Sequence, residues 1–304
     1  MKQIAFIPAS NERLDNAVFS EALTTFAAGL KPADALEALD FIAPPVRSAR
    51  RFEYRKFGKG AFLTEDAGGN ERPVGGEFKR VEYSGEIVQA KCPNKGLSVV
   101  LDKDELMPGD EELYTQWLIQ RILRTDYAAA VKMLQTAAGS ATSSAWSGSS
   151  KVAPDAELLK LANSVLEACG VRANRMLIGT SAWAARLGYY EGSQTVSSAA
   201  ANLTPDQLKG KLALEGLLVP EVVADFGSGK QTVAAAAEVV AFIGQTDGMR
   251  DDPSTLKRFW APATGGGQFG VFREEKAKTL ILTVECYTLI AQTGAGAAKR
   301  LTVS

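Results

Sequence analysis

The chain has 304 residues, 46% hydrophobic and 23% charged, and its 34 Lys and Arg against 35 Asp and Glu leave a net charge of −1. That composition fits a globular chain of about two domains at roughly 150 residues each, and it lacks the broad basic excess of a protein that coats nucleic acid. Histidine is absent, which removes Ser-His-Asp and Cys-His catalysis, imidazole general bases and every His-containing metal site. Carboxylate, lysine and tyrosine chemistry stay open. Cys92, Cys169 and Cys286 are far apart with no C-x-x-C pair, so they are expected to be buried small hydrophobes in a reducing cytoplasm. The apolar run within Met1–Ser10 is too short for a signal-peptide core. No stretch reaches the roughly 18 apolar residues of a membrane span, so a cytoplasmic product without membrane contact is expected, and the sequon at Asn202 is read as chance.

In chain order, residues 1–50 read as an arm with short helical pieces such as Ala33–Phe41, broken at Lys31-Pro32 and Ala43-Pro44-Pro45. The alternative is a small helical cap packed on its own chain. In residues 51–90, Phe52, Tyr54, Phe78, Val81, Tyr83 and Ile87 sit at near-alternate spacing among charges, as strands require. Between the two halves lie Glu65–Asn70 and Arg72-Pro73-Val74-Gly75-Gly76, whose glycines mark a turn. An extended, projecting hairpin is predicted. Asp110 is the expected cap of a helix over 110–137, with Glu111 and Glu112 in the favourable first turn and an apolar face at Leu118, Ile122, Ala129 and Met133. A Ser-rich linker follows, in which Trp146 is expected to pack back onto a body.

From Pro154 the pattern turns α/β. A helix is predicted over Asp155–Ala168, stopped by Gly170. A strand over Arg175–Gly179 and a helix over Ser181–Leu187 follow. Thr204-Pro205-Asp206-Gln207 carries the cap, first-turn proline and glutamine of a capping box. Strands are predicted over Leu217–Ala224, Glu238–Ile243, Thr279–Ile290 and Lys299–Val303.

Three stretches invite a functional reading. Asp225–Thr232 contains Gly227, Gly229 and Lys230, but a phosphate-binding loop needs Gly where Ala224 stands and Ser or Thr where Gln231 stands. A strand-to-strand turn is the better reading, with a nucleotide-binding enzyme using Gly227–Lys230 as the remote alternative. The acidic run Asp102, Asp104, Glu105, Asp110, Glu111 and Glu112 lacks the glycine and glutamate spacing of a calcium loop. The basic run Arg47, Arg50, Arg51, Arg55, Lys56 and Lys59 interleaves Phe52, Tyr54 and Phe57. Such a run suits single-stranded nucleic acid, but on a projecting hairpin it points to another protein chain, where Arg and aromatics are enriched. Arg51, Phe52, Tyr54, Arg55, Lys56, Lys59 and Arg72 are therefore candidate contacts between copies, with the acidic run as partner strip.

The order of elements, an arm, a Gly-tipped hairpin, a long helix, a lone Trp after a Ser-rich linker, an α/β module and a closing strand, resembles the major capsid proteins of tailed bacteriophages with the Hong Kong 97 fold. The resemblance covers residues 45–304. It is carried locally by Arg72–Gly76 with the strand through Tyr83, by Ser144-Ala145-Trp146-Ser147, and by Gly170–Gly179. It implies an α+β fold with an N-terminal arm (1–50), an extended β-hairpin loop (51–90), a peripheral domain with a long spine helix (91–149 and 273–304) and an α/β axial domain (151–272). It further implies hexamers and pentamers closing an icosahedral shell around double-stranded DNA without sequence-specific binding, no catalysis and no cofactor or metal. A separate scaffolding protein, a portal and a decoration protein are the implied partners. The near-neutral charge suits a container wall, since a basic lining would hold the genome tightly. An encapsulin-type cellular compartment is the alternative within the same fold. Part of the family cross-links a loop Lys to a neighbour's Asn, helped by a nearby Glu. Lys56, Lys59 and Lys79 offer the donor, but Asn202 is the last asparagine and Asn94, before the long helix, does not match the acceptor's place, so no cross-link is expected.

Overall fold

The computed structural model describes residues 17–30, 34–58, 72, 74–77, 85–147, 151–192, 200, 202–225, 229, 231–233, 235–245 and 253–304. Strand β1 (Val18–Phe19), helices α1 (Glu21–Gly29) and α2 (Asp34–Ile42) and strand β2 (Pro45–Arg47) open it. Ala35, Ala38, Leu39 and Ile42 of α2 have i, i+3, i+4, i+7 spacing and are all buried. This chain's own long helix supplies their partner. Residues 34–42 thus pack on this chain's own body, because an apolar stripe of that width must be covered.

Strands β3 (Arg51–Phe57) and β4 (Gly85–Lys91) pair antiparallel from Arg51↔Lys91 to Phe57↔Gly85, which gives the two arms of the predicted hairpin. Lys59, Glu65–Asn70, Phe78, Lys79, Val81 and Tyr83 lie outside the described residues. Strand β5 (Asn94–Asp102) leads through a 3-10 turn at Lys103–Glu105 into helix α3 (Asp110–Ala138), about 43 Å long at 1.5 Å per residue. The cap differs from expectation by one position. Gly109 takes φ 93°, a turn that glycine makes without steric cost. Asp110 becomes the first helical residue, its Oδ2 accepting from the Met107 amide at 2.9 Å.

The larger sheet has six strands around β14 (Thr279–Gln292). Strands β12 (Leu256–Ala261) and β13 (Phe269–Glu275) follow one another along one edge of β14, and β5 covers the other. Tyr287 shows this directly, pairing with Ala261 on one side and Asn94 on the other. β2 and β1 extend the edge through β12 and β13. α3 packs on the face carrying Leu280, Leu282, Val284 and Cys286, all buried.

The second sheet runs β6 (Thr142–Ser144), β15 (Ala298–Val303), β11 (Glu238–Phe242), β7 (Arg175–Ile178), β8 (Gly216–Leu218). Helices α4 (Pro154–Cys169), α5 (Thr180–Glu191) and α6 (Pro205–Lys211) complete this module. Gly170 ends α4 at φ 79°, and Thr204 and Gln207 form the reciprocal capping box. Trp146 is buried with Leu158, Leu161 and Val165, as its apolar area requires. The expected strand Leu217–Ala224 is split into β8 and β9 (Val223–Asp225) around Pro220, which has no amide to donate.

The two sheets meet at the end of α2. Arg175 of β7 donates to the carbonyl of Phe41 at 2.5 Å, and Arg258 of β12 donates to the Asp40 carboxylate at 2.7 Å. Gly216 makes room for the Phe41 ring, since a Cβ there would stand 2.6 Å from it. Sheet membership does not follow chain position: β12 and β13 lie in the six-stranded sheet and β6 and β15 in the five-stranded one, so the chain passes between the two sheets more than once.

Candidate assembly surface

β3 alternates, as a strand with one covered face must. Over its first four residues Arg51 and Glu53 are exposed while Phe52 and Tyr54 turn inward; Phe57, on the Arg51 side of the strand, is buried at the far end. Phe52 and Tyr54 stack on Phe259 at ring-centroid distances of 4.6 and 5.2 Å, in a cluster with Val46, Cys92, Ala261 and Ala291. Burial pushes the Tyr54 hydroxyl above its usual range. These two aromatics anchor the base of the hairpin to its own subunit. Phe57 is stitched further, its amide donating to the Thr293 carbonyl at 2.8 Å and its carbonyl accepting from the Ala295 amide at 2.9 Å. Arg50 lies over the Tyr287 ring at 4.1 Å and Arg47 over Trp260 at 5.7 Å. Arg51 and Arg72 are exposed, and Arg55 and Lys56 are half-buried.

The six acids gather where β5 passes into α3. Asp102 Oδ1 accepts from the Asp104 amide at 3.0 Å and so caps the 3-10 turn. Glu111 is committed within the subunit, accepting from Arg273 Nε and Nη2, each at 3.1 Å. Its carboxylate raises the affinity of that guanidinium for its proton. Asp102, Asp104, Glu105 and Glu112 remain exposed. Among them stand Met107 and Leu113, 72% and 61% exposed. Sequence reasoning missed this apolar pair. The available signal was phase: Leu113 lies about 140° around the helix from Leu118 at 3.6 residues per turn.

Among the described residues, the base of the basic hairpin and the acidic run stand at opposite ends of β14. The hairpin base is tied to the end of β14 near Gln292 and the acids to the end at Thr279, which pairs with Asp102. Thirteen steps at about 3.3 Å separate the two by about 43 Å. Among the described residues no group of three or more Cys, Asp or Glu could hold a metal ion, and no helix is long and apolar enough to cross a membrane. The glycine-rich segment after Asp225 joins β9 to an antiparallel partner, β10 (Gln231–Val233), whereas a phosphate loop leads from strand into helix. Gly227, Ser228 and Lys230 themselves lie outside the described residues.

No protein-family model matches the sequence and no curated protein is similar to it. Solved structures are. A phage-related protein from Bordetella bronchiseptica RB50 is 15% identical and superposes with a TM-score of 0.66 over 94% of this chain and 97% of that one. The mature capsid of bacteriophage PhiM1 is 11% identical, with a TM-score of 0.51 over 88% and 86% of the two chains. The capsid of cyanophage P-SCSP1u is 7% identical, with a TM-score of 0.52 over 87% of each. The fold is therefore the α+β Hong Kong 97-type fold of phage capsid proteins.

Proposed function

We propose that the chain is the major capsid protein of a tailed bacteriophage, closing as hexamers and pentamers into a shell around double-stranded DNA. One observation supports this reading above the rest: the likeness to capsid structures runs through nearly the whole of both chains. The charge layout agrees. A hairpin base rich in cations and an acidic helix entrance at the other end of β14 are suited to meet between copies, where opposite potentials set register and suppress wrong pairings. In this reading the hairpin of one subunit lies over the acidic end of α3 in the next, with Met107 and Leu113 as the apolar part of the seat. Virion localisation, assembly in the bacterial cytoplasm, and a scaffold, a portal and a decoration protein as partners follow from the same reading.

Electron microscopy of the purified full chain tests it. Closed shells of a size to hold a phage genome are expected. Small cargo-sized shells would point to a cellular compartment instead, and a monodisperse monomer at micromolar concentration under shell-stabilising conditions would overturn both.

A further inference from the structure

Charge along α3 is sharply divided. Asp110, Glu111 and Glu112 fill the first turn, and beyond them the only acid in the helix is Asp126. Asp126 is 4% exposed and is neutralised from within, by Lys95 Nζ at 2.7 Å and the Thr288 hydroxyl at 2.8 Å. The cations Arg121, Arg124 and Lys132 are all exposed, and none forms an ion pair among the described residues. Eleven residues separate Arg121 from Lys132. At about 100° and 1.5 Å per residue the two share an azimuth within about 20° and stand about 16 Å apart. Arg121 lies over the Trp117 ring at 4.8 Å, which leaves its edge free to donate. Arg124 shares a cleft with Asp34 and Glu221, so Arg121 and Lys132 carry most of the local field.

The strip continues past the helix end. Lys132, Gln135, Thr136, Gly139, Ser140 and Arg300 line one polar groove. Arg300 donates to the Gly139 carbonyl at 2.6 Å and holds Glu238 at 3.3 Å. The nearby carboxylate is therefore already engaged. Arginine, lysine, glutamine and small hydroxyls are the side chains that contact phosphate oxygens without reading bases. From Arg121 to Ser140 the surface runs about 28 Å.

We propose that this face of α3, from Arg121 to the Ser140–Arg300 groove, is a sequence-independent contact for the phosphate backbone of double-stranded DNA. The inference rests on the capsid reading, and it assigns which surface faces the enclosed polyanion. Arg121 and Lys132, with a smaller share from Arg124 beside Asp34 and Glu221, make a weak, salt-sensitive contact, each neutralised phosphate adding about 0.9 to the slope of log affinity against log salt. Weakness at each site is compatible with DNA sliding during filling, while repetition over many copies gives the lining its hold. The net charge of −1 conceals this, because it adds the acidic entrance of α3 to the basic remainder.

The test measures binding of a short DNA duplex to the unassembled full-length protein over a range of salt, alongside shell formation. Arg121→Gln/Arg124→Gln/Lys132→Gln should fold and form shells, bind DNA at least tenfold more weakly at low salt, and lose about 2 to 3 from the salt slope. Arg121→Lys/Arg124→Lys should retain binding. Equal binding by wild type and the Gln variant, or no salt-dependent binding by a wild type that forms shells, overturns the inference and leaves the capsid reading standing. A Gln variant that folds but forms no shells also overturns it, making the strip a subunit contact. A wild type that forms no shells removes the capsid reading, and this inference with it.

Discussion

Asp155 stands at the start of α4 between two cations. Arg186, whose side chain is fully buried, donates through Nε at 2.7 Å and Nη2 at 3.2 Å, and Lys211 donates at 2.7 Å. Burial alone would raise this carboxyl, but the bonds from Arg186 and then Lys211 outweigh it and hold the group below its usual 3.8. A carboxyl lowered in the folded state contributes stability above its unfolded value, and that contribution is lost as pH falls through the folded value. Asp155→Asn should cost about 3 to 5 kcal/mol at pH 7 by leaving Arg186 buried without its counter-charge. It should also flatten the loss of stability below about pH 4. Urea unfolding at pH 7 and pH 3 checks both, and a variant whose midpoint falls as steeply with acid as wild type would show that Asp155 is not the titrating group. None of this was legible in the sequence, since the partners lie 31 and 56 residues away and no local period links them.

At the scale of elements, what was legible was what local physics sets. The Thr204 capping box and the stop at Gly170 depend on residues within a turn or two, and each stands where the pattern puts it. Of the apolar face expected for α3, Leu118 and Ile122 are buried, whereas Met133 is half-buried and Ala129 exposed. What was not legible depends on the far side of the chain. Phe52 and Tyr54 look like outward hairpin aromatics until Phe259 covers them. Glu111 looks like part of a solvated acidic strip until Arg273, 162 residues on, takes it. The base of the hairpin therefore holds an aromatic anchor, Phe52 and Tyr54, among cations that stand on both faces of β3. Reversing the charge of this strand, with Arg51, Arg55 and Lys56 all changed to Glu, should leave the aromatic anchor and the fold intact while assembly fails or goes astray. Circular dichroism reports the fold and electron microscopy the assembly, and normal shells from this triple variant would remove the proposed contact with Asp102–Glu112.

For the whole molecule, cohesion of the proposed shell would rest on interlocked surfaces rather than new covalent bonds. Residues 203–304 contain no asparagine, and the Asn94 side chain is occupied in donating to Glu285 at 3.2 Å. Boiled, reduced particles should run as a single band near 32.3 kDa, and a ladder of surviving multimers would refute this. Contacts that are individually modest become strong once a closed ring makes them effectively intramolecular. The placement of β14 and β15 bears on when such contacts can form. β14 is the strand on which β5, β12 and β13 all pair, and β15 joins β6 to β11 in the other sheet. Both are made after every strand they unite. Neither sheet can therefore close before its uniting strand has been synthesised, and any surface that needs both sheets complete comes into being only after β15 has paired with β11 and β6.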